Sequence, residues 1–365
     1  MKNTFGNSVA VTIFGESHGD AIGVVLDGLA PGIEVDKDFI ASQMELRKPK
    51  GRISTSRHEE DLVSILSGVF EGKTTGTPIC LTIKNNNTKS KDYSQTRPLA
   101  RPGHADFTAN CKYHGFEDYR GGGHFSGRIT AGLVAGGAIA IHALRQKGIF
   151  IGTHIASCAG VCDRDFSDFE KDIKTLSQME FAVLDNDAGI KMNDEIIKAA
   201  ADGDSVGGIL QTAILGLPEG LGEPWFDSFE SIISHILFSI PAVKGVEFGA
   251  GFSFADMRGS IANDSFRMEN GKVITKTNNN GGINGGITNG MPVVFSCAIK
   301  PTPSIYKPQE TVNFFTKENA EFTINGRHDP AIIHKARVVV DSAVALAVCD
   351  MLAMRYGTDY LRGDN

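Results

Sequence analysis

The chain is 365 residues long, 41% hydrophobic and 22% charged, proportions that exclude an extended disordered protein and allow a large buried core. Its formal net charge of −7 argues against a general nucleic-acid binder, yet much of the Arg and Lys gathers between residues 47 and 128, consistent with a local cationic pocket. No export signal is evident at the N-terminus and no apolar run reaches the roughly 18 residues of a membrane span, so a cytoplasmic, membrane-free protein is expected.

Residues 9–14 alternate and predict a strand, and residues 22–26 a second. Asp36 is placed to cap a helix that runs through Leu46. Residues 62–70 and 78–83 read as strands, and the polar stretch 84–102 as a loop long enough to carry function. Residues 128–147 read as a helix stopped at Gly148; its Gly- and Ala-rich centre, 129–144, suits a buried helix that another element approaches closely. Further helices are expected at 168–179, 194–202 and 228–238, and strands at 206–215, 246–254 and 293–298. The Gly-dense segment 278–290 reads either as a low-complexity linker or, between its strand-like flanks, as a tight loop near a ligand, and 330–356 as a long amphipathic helix.

Strands and helices come in separate blocks, without repeats or a linker. That pattern predicts a single α+β domain over residues 1–365 rather than a doubly wound parallel sheet. The six cysteines are scattered and lack zinc spacing, so reduced thiols and no metal site are expected.

Gly15-Glu16-Ser17-His18-Gly19 matches a serine-hydrolase elbow in pattern, but one strand precedes it and a strand-like segment follows where the elbow needs a helix. What remains is a Gly-bounded turn presenting a hydroxyl and an imidazole to an oxyanion. Gly72-Lys73-Thr74 lacks the first glycine of a P-loop, since that position is Ser67. Basic residues cluster at Arg47, Lys48, Lys50, Arg52 and Arg57, at Arg97, Arg101 and His104, and at Arg120 and Arg128. A solvated surface explains most such runs, but Pro and Gly fix the backbone around Arg101 and His104. Gly121, Gly122 and Gly123 lead toward the helix near Arg128, an arrangement suited to anion binding. For Asp329, in Arg327-His328-Asp329-Pro330, a helix N-cap and a proton-handling carboxylate are equally good readings.

Taken together, Phe14-Gly15-Glu16-Ser17-His18-Gly19, Arg101-Pro102-Gly103-His104-Ala105-Asp106, Gly220-Leu221-Gly222-Glu223-Pro224, Val243-Lys244-Gly245-Val246-Glu247, Lys300-Pro301-Thr302 and Gly326-Arg327-His328-Asp329-Pro330 resemble, in order, the motifs of the chorismate synthase family. The resemblance implies a β-α-β sandwich with antiparallel sheets packed around helices, and a homotetramer. It implies a carbon–oxygen lyase of the shikimate pathway to aromatic amino acids, which converts 5-enolpyruvylshikimate 3-phosphate to chorismate and phosphate by anti-1,4 elimination and requires reduced FMN. His18 would then protonate the leaving phosphate, His104 would act on the protonation of the flavin, and Asp329 would assist deprotonation of the substrate through the flavin N5. Ser17, Arg47, Lys48, Arg52, Arg101, Arg128 and Arg327 would hold the substrate anions. Flavin contacts would come from His124, Phe125, Ser126, Pro241, Ala242, Gly285, Lys300, Pro301, Thr302, Pro303, Ser304 and Arg327. His124-Phe125-Ser126-Gly127-Arg128 departs from the family's common Arg-Ser-Ser-Ala-Arg, and Lys48 replaces a common Arg. No added flavin-reductase domain using NADPH is evident, so an external supply of reduced flavin is expected. Two alternatives stay open at this point: a lyase acting on another phosphorylated acid, and a non-catalytic protein that binds flavin or anions.

Overall fold

The computed structural model describes residues 2–48, 51–54, 61–86, 97–324 and 328–363, with the side chain of Arg52 also outside that set. Two antiparallel five-stranded sheets enclose a layer of helices. In space the first runs Thr4–Phe5, Ala10–Gly15, Ala21–Asp27, Ile79–Lys84, Val63–Ser67. The second runs Val243–Phe248, Val293–Ile299, Gly208–Leu215, Phe150–Cys158, Val161–Cys162. The α+β sandwich expected from the sequence is therefore present, and a single hydrophobic core draws on both sheets and the helices between them.

Period-two burial builds the inner face of the first sheet, with Ile22, Val24 and Leu26 on one strand and Ile79, Leu81 and Ile83 on its neighbour. The helix Thr130–Gln146 lies on that face, and its glycines explain how closely. A Cβ at Gly132 would stand 2.9 Å from the Gly23 carbonyl oxygen, and one at Gly137 only 2.6 Å from Ser342 Cα of the C-terminal helix. By length and composition the segment Gly127–Gln146 could cross a membrane, but 83% of its most apolar window is buried in the fold.

The C-terminal helix, Ile333–Tyr356, packs on that helix and on the second sheet. It starts three residues later than expected and, apart from Lys335, is buried on all sides from Ile333 to Ala353, so it is a central helix rather than an amphipathic one. Its polar side chains are paired inside. Asp341 accepts from the Thr153 hydroxyl at 2.6 Å, and Asp350 accepts the backbone amides of Asn7, Ser8 and Val9 at 2.7–3.0 Å.

Asp36 caps its helix as expected, accepting from backbone amides in the first turn, and the helix expected at 228–238 is Phe229–Ser239, capped by Ser228. Other expectations fail for local reasons. The helix expected at 194–202 begins at Asn186, because Asp185 accepts from the Asp187 amide and starts it earlier. The strand expected to reach residue 254 ends at Phe248, where Gly249 (φ 56°) and Gly251 (φ 54°) turn the chain into Gly251–Asp256. Phe150–Cys158 is a central strand that the sequence did not reveal. Its polar Thr153 and His154 mask the pattern, and both are satisfied internally, by Thr212 and Asp341 and by Asp163 and Gln211. The Gly-dense segment 278–290 contains a two-stranded turn, Ile283–Asn284 against Ile287–Thr288.

Candidate active site

The strand Ala10–Gly15 reverses into its antiparallel partner Ala21–Asp27, so Ser17 and His18 sit on a strand-to-strand turn and not on a hydrolase elbow. Both are buried, at 3% and 7% exposure. The Ser17 hydroxyl donates to the Arg120 carbonyl at 3.1 Å and therefore accepts from His18 Nδ1 at 3.0 Å. That places the first ring proton of His18 on Nδ1 and leaves proton exchange to Nε2.

The backbone facing this turn is Gly121-Gly122-Gly123, all in the left-handed region with φ of 59°, 87° and 52°. A Cβ on Gly121 would overlap the His18 ring and come within 2.8 Å of Ser17 Oγ. A Cβ on Gly122 would lie 3.1 Å from both Cε1 and Nε2 of His104 and 3.7 Å from Arg101 Nη2. Two adjacent glycines thus pass between the two histidines, a conformation and a closeness that only glycine tolerates. The expected entry into the helix is not direct: the short turns Arg120–Phe125 and Gly127–Ile129 intervene, and Ser126 Oγ accepts from the Arg128 amide. Two further bonds bind the segments together, from the Ser17 amide to the Gly123 carbonyl at 3.1 Å and between His124 Nδ1 and the Gly15 carbonyl at 2.8 Å.

Asp106 organises the next loop. It accepts from the Arg101 amide, from Arg101 Nε and Nη2, and from His104 Nδ1, the last three at 2.7 Å. Burial works against its charge, but these donors outweigh it and hold the carboxyl well below the usual carboxylate range. An ionised Asp106 only accepts, so His104 Nδ1 carries a proton and Nε2 faces the glycine turn. Gly103 of the same loop receives Lys300 Nζ on its carbonyl, and its Cβ direction meets Pro303 Cβ at 3.3 Å. The Lys300 amide in turn donates to Ala242, a left-handed residue with φ 77°. Thr302 is tied through its carbonyl to Ser205 at 2.7 Å, while its buried Oγ1 has no partner.

Arg47 and Arg128 meet at Asp61, which is 9% exposed and hydrogen-bonded to both guanidinium groups. Arg47 also donates to the Gly127 carbonyl and Thr130 Oγ1, each at 3.1 Å, and Arg128 to Asn85 Oδ1 at 3.0 Å. Lys48 pairs with Glu45 at 2.6 Å.

From the far end of the chain, His328 feels the positive charges of Arg101 and His104. Burial first, and then those charges, push its pKa down to about 4 against the opposing effect of Asp329. Asp329 does not cap the C-terminal helix, whose cap position is Ile332 and carries no side-chain cap bond. Its two carboxylate oxygens instead accept from Lys335 Nζ at 2.8 and 2.7 Å.

His18, Ser17, Arg101 and His104 thus converge on the glycine turn; Arg47 and Arg128 share Asp61; and His328, next to Asp329 in the chain, feels the charges of Arg101 and His104. Phe125 is 38% exposed and lies edge-on to Tyr113, and Ser304 is buried while Pro241 and Pro301 are exposed. Gly285 turns the hairpin at 283–288, and Gly286 beside it packs on Glu223 and Ser228, so no described contact joins that hairpin to the cluster. Arg327 and the side chain of Arg52 lie outside the described residues. Asp106, Asp61 and Lys335 were missed from the sequence. An acid two residues after His104 was the available signal for Asp106; Asp61 and Lys335 gain their partners only through the tertiary fold.

The family model described as chorismate synthase matches residues 9–353. A chorismate synthase of Thermococcus kodakarensis is 46% identical over 350 residues, which cover 96% of this chain and 97% of that protein. One of Methanosarcina mazei is 46% identical over 349 residues, 95% of each chain, and one of Dehalococcoides mccartyi is 46% identical over 359 residues, 98% of each. A crystal structure of chorismate synthase superposes with a TM-score of 0.76 at 28% identity, covering 96% of this chain and 94% of the other.

Proposed function

The chain belongs to the chorismate synthase family, and from that premise we propose that the pocket around Gly121 and Gly122 is where 5-enolpyruvylshikimate 3-phosphate loses phosphate to become chorismate. The observation that carries this reading is the glycine turn, against which Ser17 and His18 pack on one side and Arg101 and His104 on the other.

The substrate brings two carboxylates and a phosphate, which need guanidinium and ammonium partners in a partly desolvated site. Arg47, Arg101 and Arg128 supply them together with Ser17 and Lys48, and Arg52 and Arg327 are assigned the same work on the family pattern. The elimination breaks one C–O bond to phosphate and removes one proton from the far end of the 1,4 system, with no net oxidation. His18 delivers a proton from Nε2 to the departing phosphate, while Ser17 and the Arg120 carbonyl fix the ring. Asp329, which accepts from Lys335 Nζ on both oxygens, assists removal of the proton that leaves carbon.

The residues present fit a flavin. The buried, unpartnered Thr302 Oγ1 lies in the segment that adjoins His104 through Gly103, and Phe125 offers an aromatic surface. Reduced FMN, when bound, supplies the electron density that this redox-neutral elimination requires. Lys300, Pro301, Thr302, Pro303, Ser304, Pro241 and Ala242 would hold it beside His104, with His124, Phe125, Ser126 and Arg327. Gly285 is kept in this set on the family pattern alone. His104 would govern its protonation, since Asp106 fixes Nδ1 and leaves Nε2 for exchange.

We further assign a single domain, supported by the continuous core, and a homotetramer, supported by the exposed Trp225, Phe226 and Phe252 at 83–89% exposure. Reduced flavin is taken from an external source, and the protein acts in the cytoplasm. The test is an anaerobic assay. With reduced FMN one chorismate and one phosphate should form per turnover, and with oxidised FMN none. Full activity without flavin overturns the flavin reading.

A further inference from the structure

We propose that Lys335 is a positioning residue of the elimination, which grips both oxygens of Asp329 and fixes that carboxylate in the pocket. This rests on the reading of Asp329 as the proton-handling carboxylate.

The grip is not a by-product of helix geometry. Side chains pair along a helix at spacings of three and four, whereas Asp329 and Lys335 are six apart. The pairing exists because the chain after Pro330 folds back before the helix begins at Ile333, which sets Asp329 against the first helical turn. Nζ reaches both oxygens, at 2.8 and 2.7 Å, so the carboxylate is held in rotation as well as in place. The two side chains are 16% and 19% exposed, so water screens the pair only in part.

The surroundings single out Lys335 for this role. His334, its neighbour, is 7% exposed, places Nε2 at 2.9 Å from Ser54 Oγ, and has its pKa pushed down to about 4 by burial. His328, on the other side, is lowered to about 4 as well. Near neutral pH neither ring is a cation facing Asp329. Burial and the charge of Arg47 lower the pKa of Lys335, while Asp329 opposes them, so ammonium and carboxylate stabilise each other. A lysine with three donors suits two oxygens of one partner.

The experiment measures kcat and KM for 5-enolpyruvylshikimate 3-phosphate with reduced FMN, anaerobically, across about pH 6 to 9, for the wild type and for Lys335→Met, Lys335→Gln, Lys335→Arg and Asp329→Asn. Lys335→Met and Lys335→Gln should lose about 10- to 100-fold in kcat with KM changed less than about threefold. The acidic limb of their kcat profile should move up by about one pH unit, and Lys335→Arg should recover most of the rate and the wild-type limb. If Lys335→Met does not fold, Lys335→Gln and Lys335→Arg carry the comparison. A raised KM with unchanged kcat, or an unmoved acidic limb, overturns the proposal and makes Lys335 a substrate ligand or a structural residue. An impaired Asp329→Asn beside a normal Lys335→Met refutes the role of the lysine alone. Wild-type kcat in Asp329→Asn removes the reading of Asp329, and this inference with it.

Discussion

Asp106 decides which nitrogen of His104 faces the glycine turn. Three side-chain bonds at 2.7 Å converge on its carboxylate, and their combined pull keeps it ionised against the cost of burial. Replacing it by Asn removes the charge, and the amide oxygen cannot serve Arg101 and His104 at once. Asp106→Asn should lower turnover about ten- to a hundredfold and alter its pH dependence, as steady-state kinetics across the pH range would show. His18, His104 and Asp329 were legible as candidates because their residue types and flanking glycines and prolines announce proton and anion chemistry. Asp61 was not, because nothing local links it to Arg47, 14 residues away, or to Arg128, 67 residues away. His124 is a mixed case: the sequence marks a departure from the family pattern, and the fold shows its ring hydrogen-bonded to the Gly15 carbonyl.

Among the elements, the turn at 120–125 has the strictest requirement. Gly121 needs a positive φ, and it also needs the absence of a Cβ where His18 and Ser17 stand. Gly121→Ala should displace His18 and reduce kcat at least about tenfold, while circular dichroism shows the fold retained. The helix after Asp36 was readable from its polar cap and that at 228–238 from its spacing, whereas the start that Asp185 caps was not. The C-terminal helix was readable as a helix but not as the centre of the molecule, since burial on all sides and amphipathic burial differ only in what packs outside. Phe150–Cys158 escaped because its polar residues are satisfied across the fold, by Asp341 nearly two hundred positions away.

At the scale of the whole molecule, global stability should depend on acid through its buried imidazoles. The folded pKa of His334 is about 4 against an ordinary 6.5, and that of His328 is also about 4. Between those values the unfolded chain binds protons that the native state refuses, so stability rises with pH across that window. Unfolding free energy should therefore be fully expressed above about pH 6.5 and fall by a few kcal/mol toward pH 4. Chemical denaturation at a series of pH values measures this, and His334→Gln should flatten part of the slope. An equal slope in that variant would assign the acid sensitivity to other groups.

The amides of Asn7, Ser8 and Val9 end on Asp350, more than three hundred residues downstream. On a ribosome the N-terminal sheet and the helix Thr130–Gln146 that covers its inner face emerge long before Ile333–Tyr356, so the far side of that helix stays uncovered until Ile333–Tyr356 is released. Until residues 333–356 have been made, the nascent chain therefore has an unfinished core that is exposed to aggregation. The core is in that sense closed late, by the helix that packs on Thr130–Gln146.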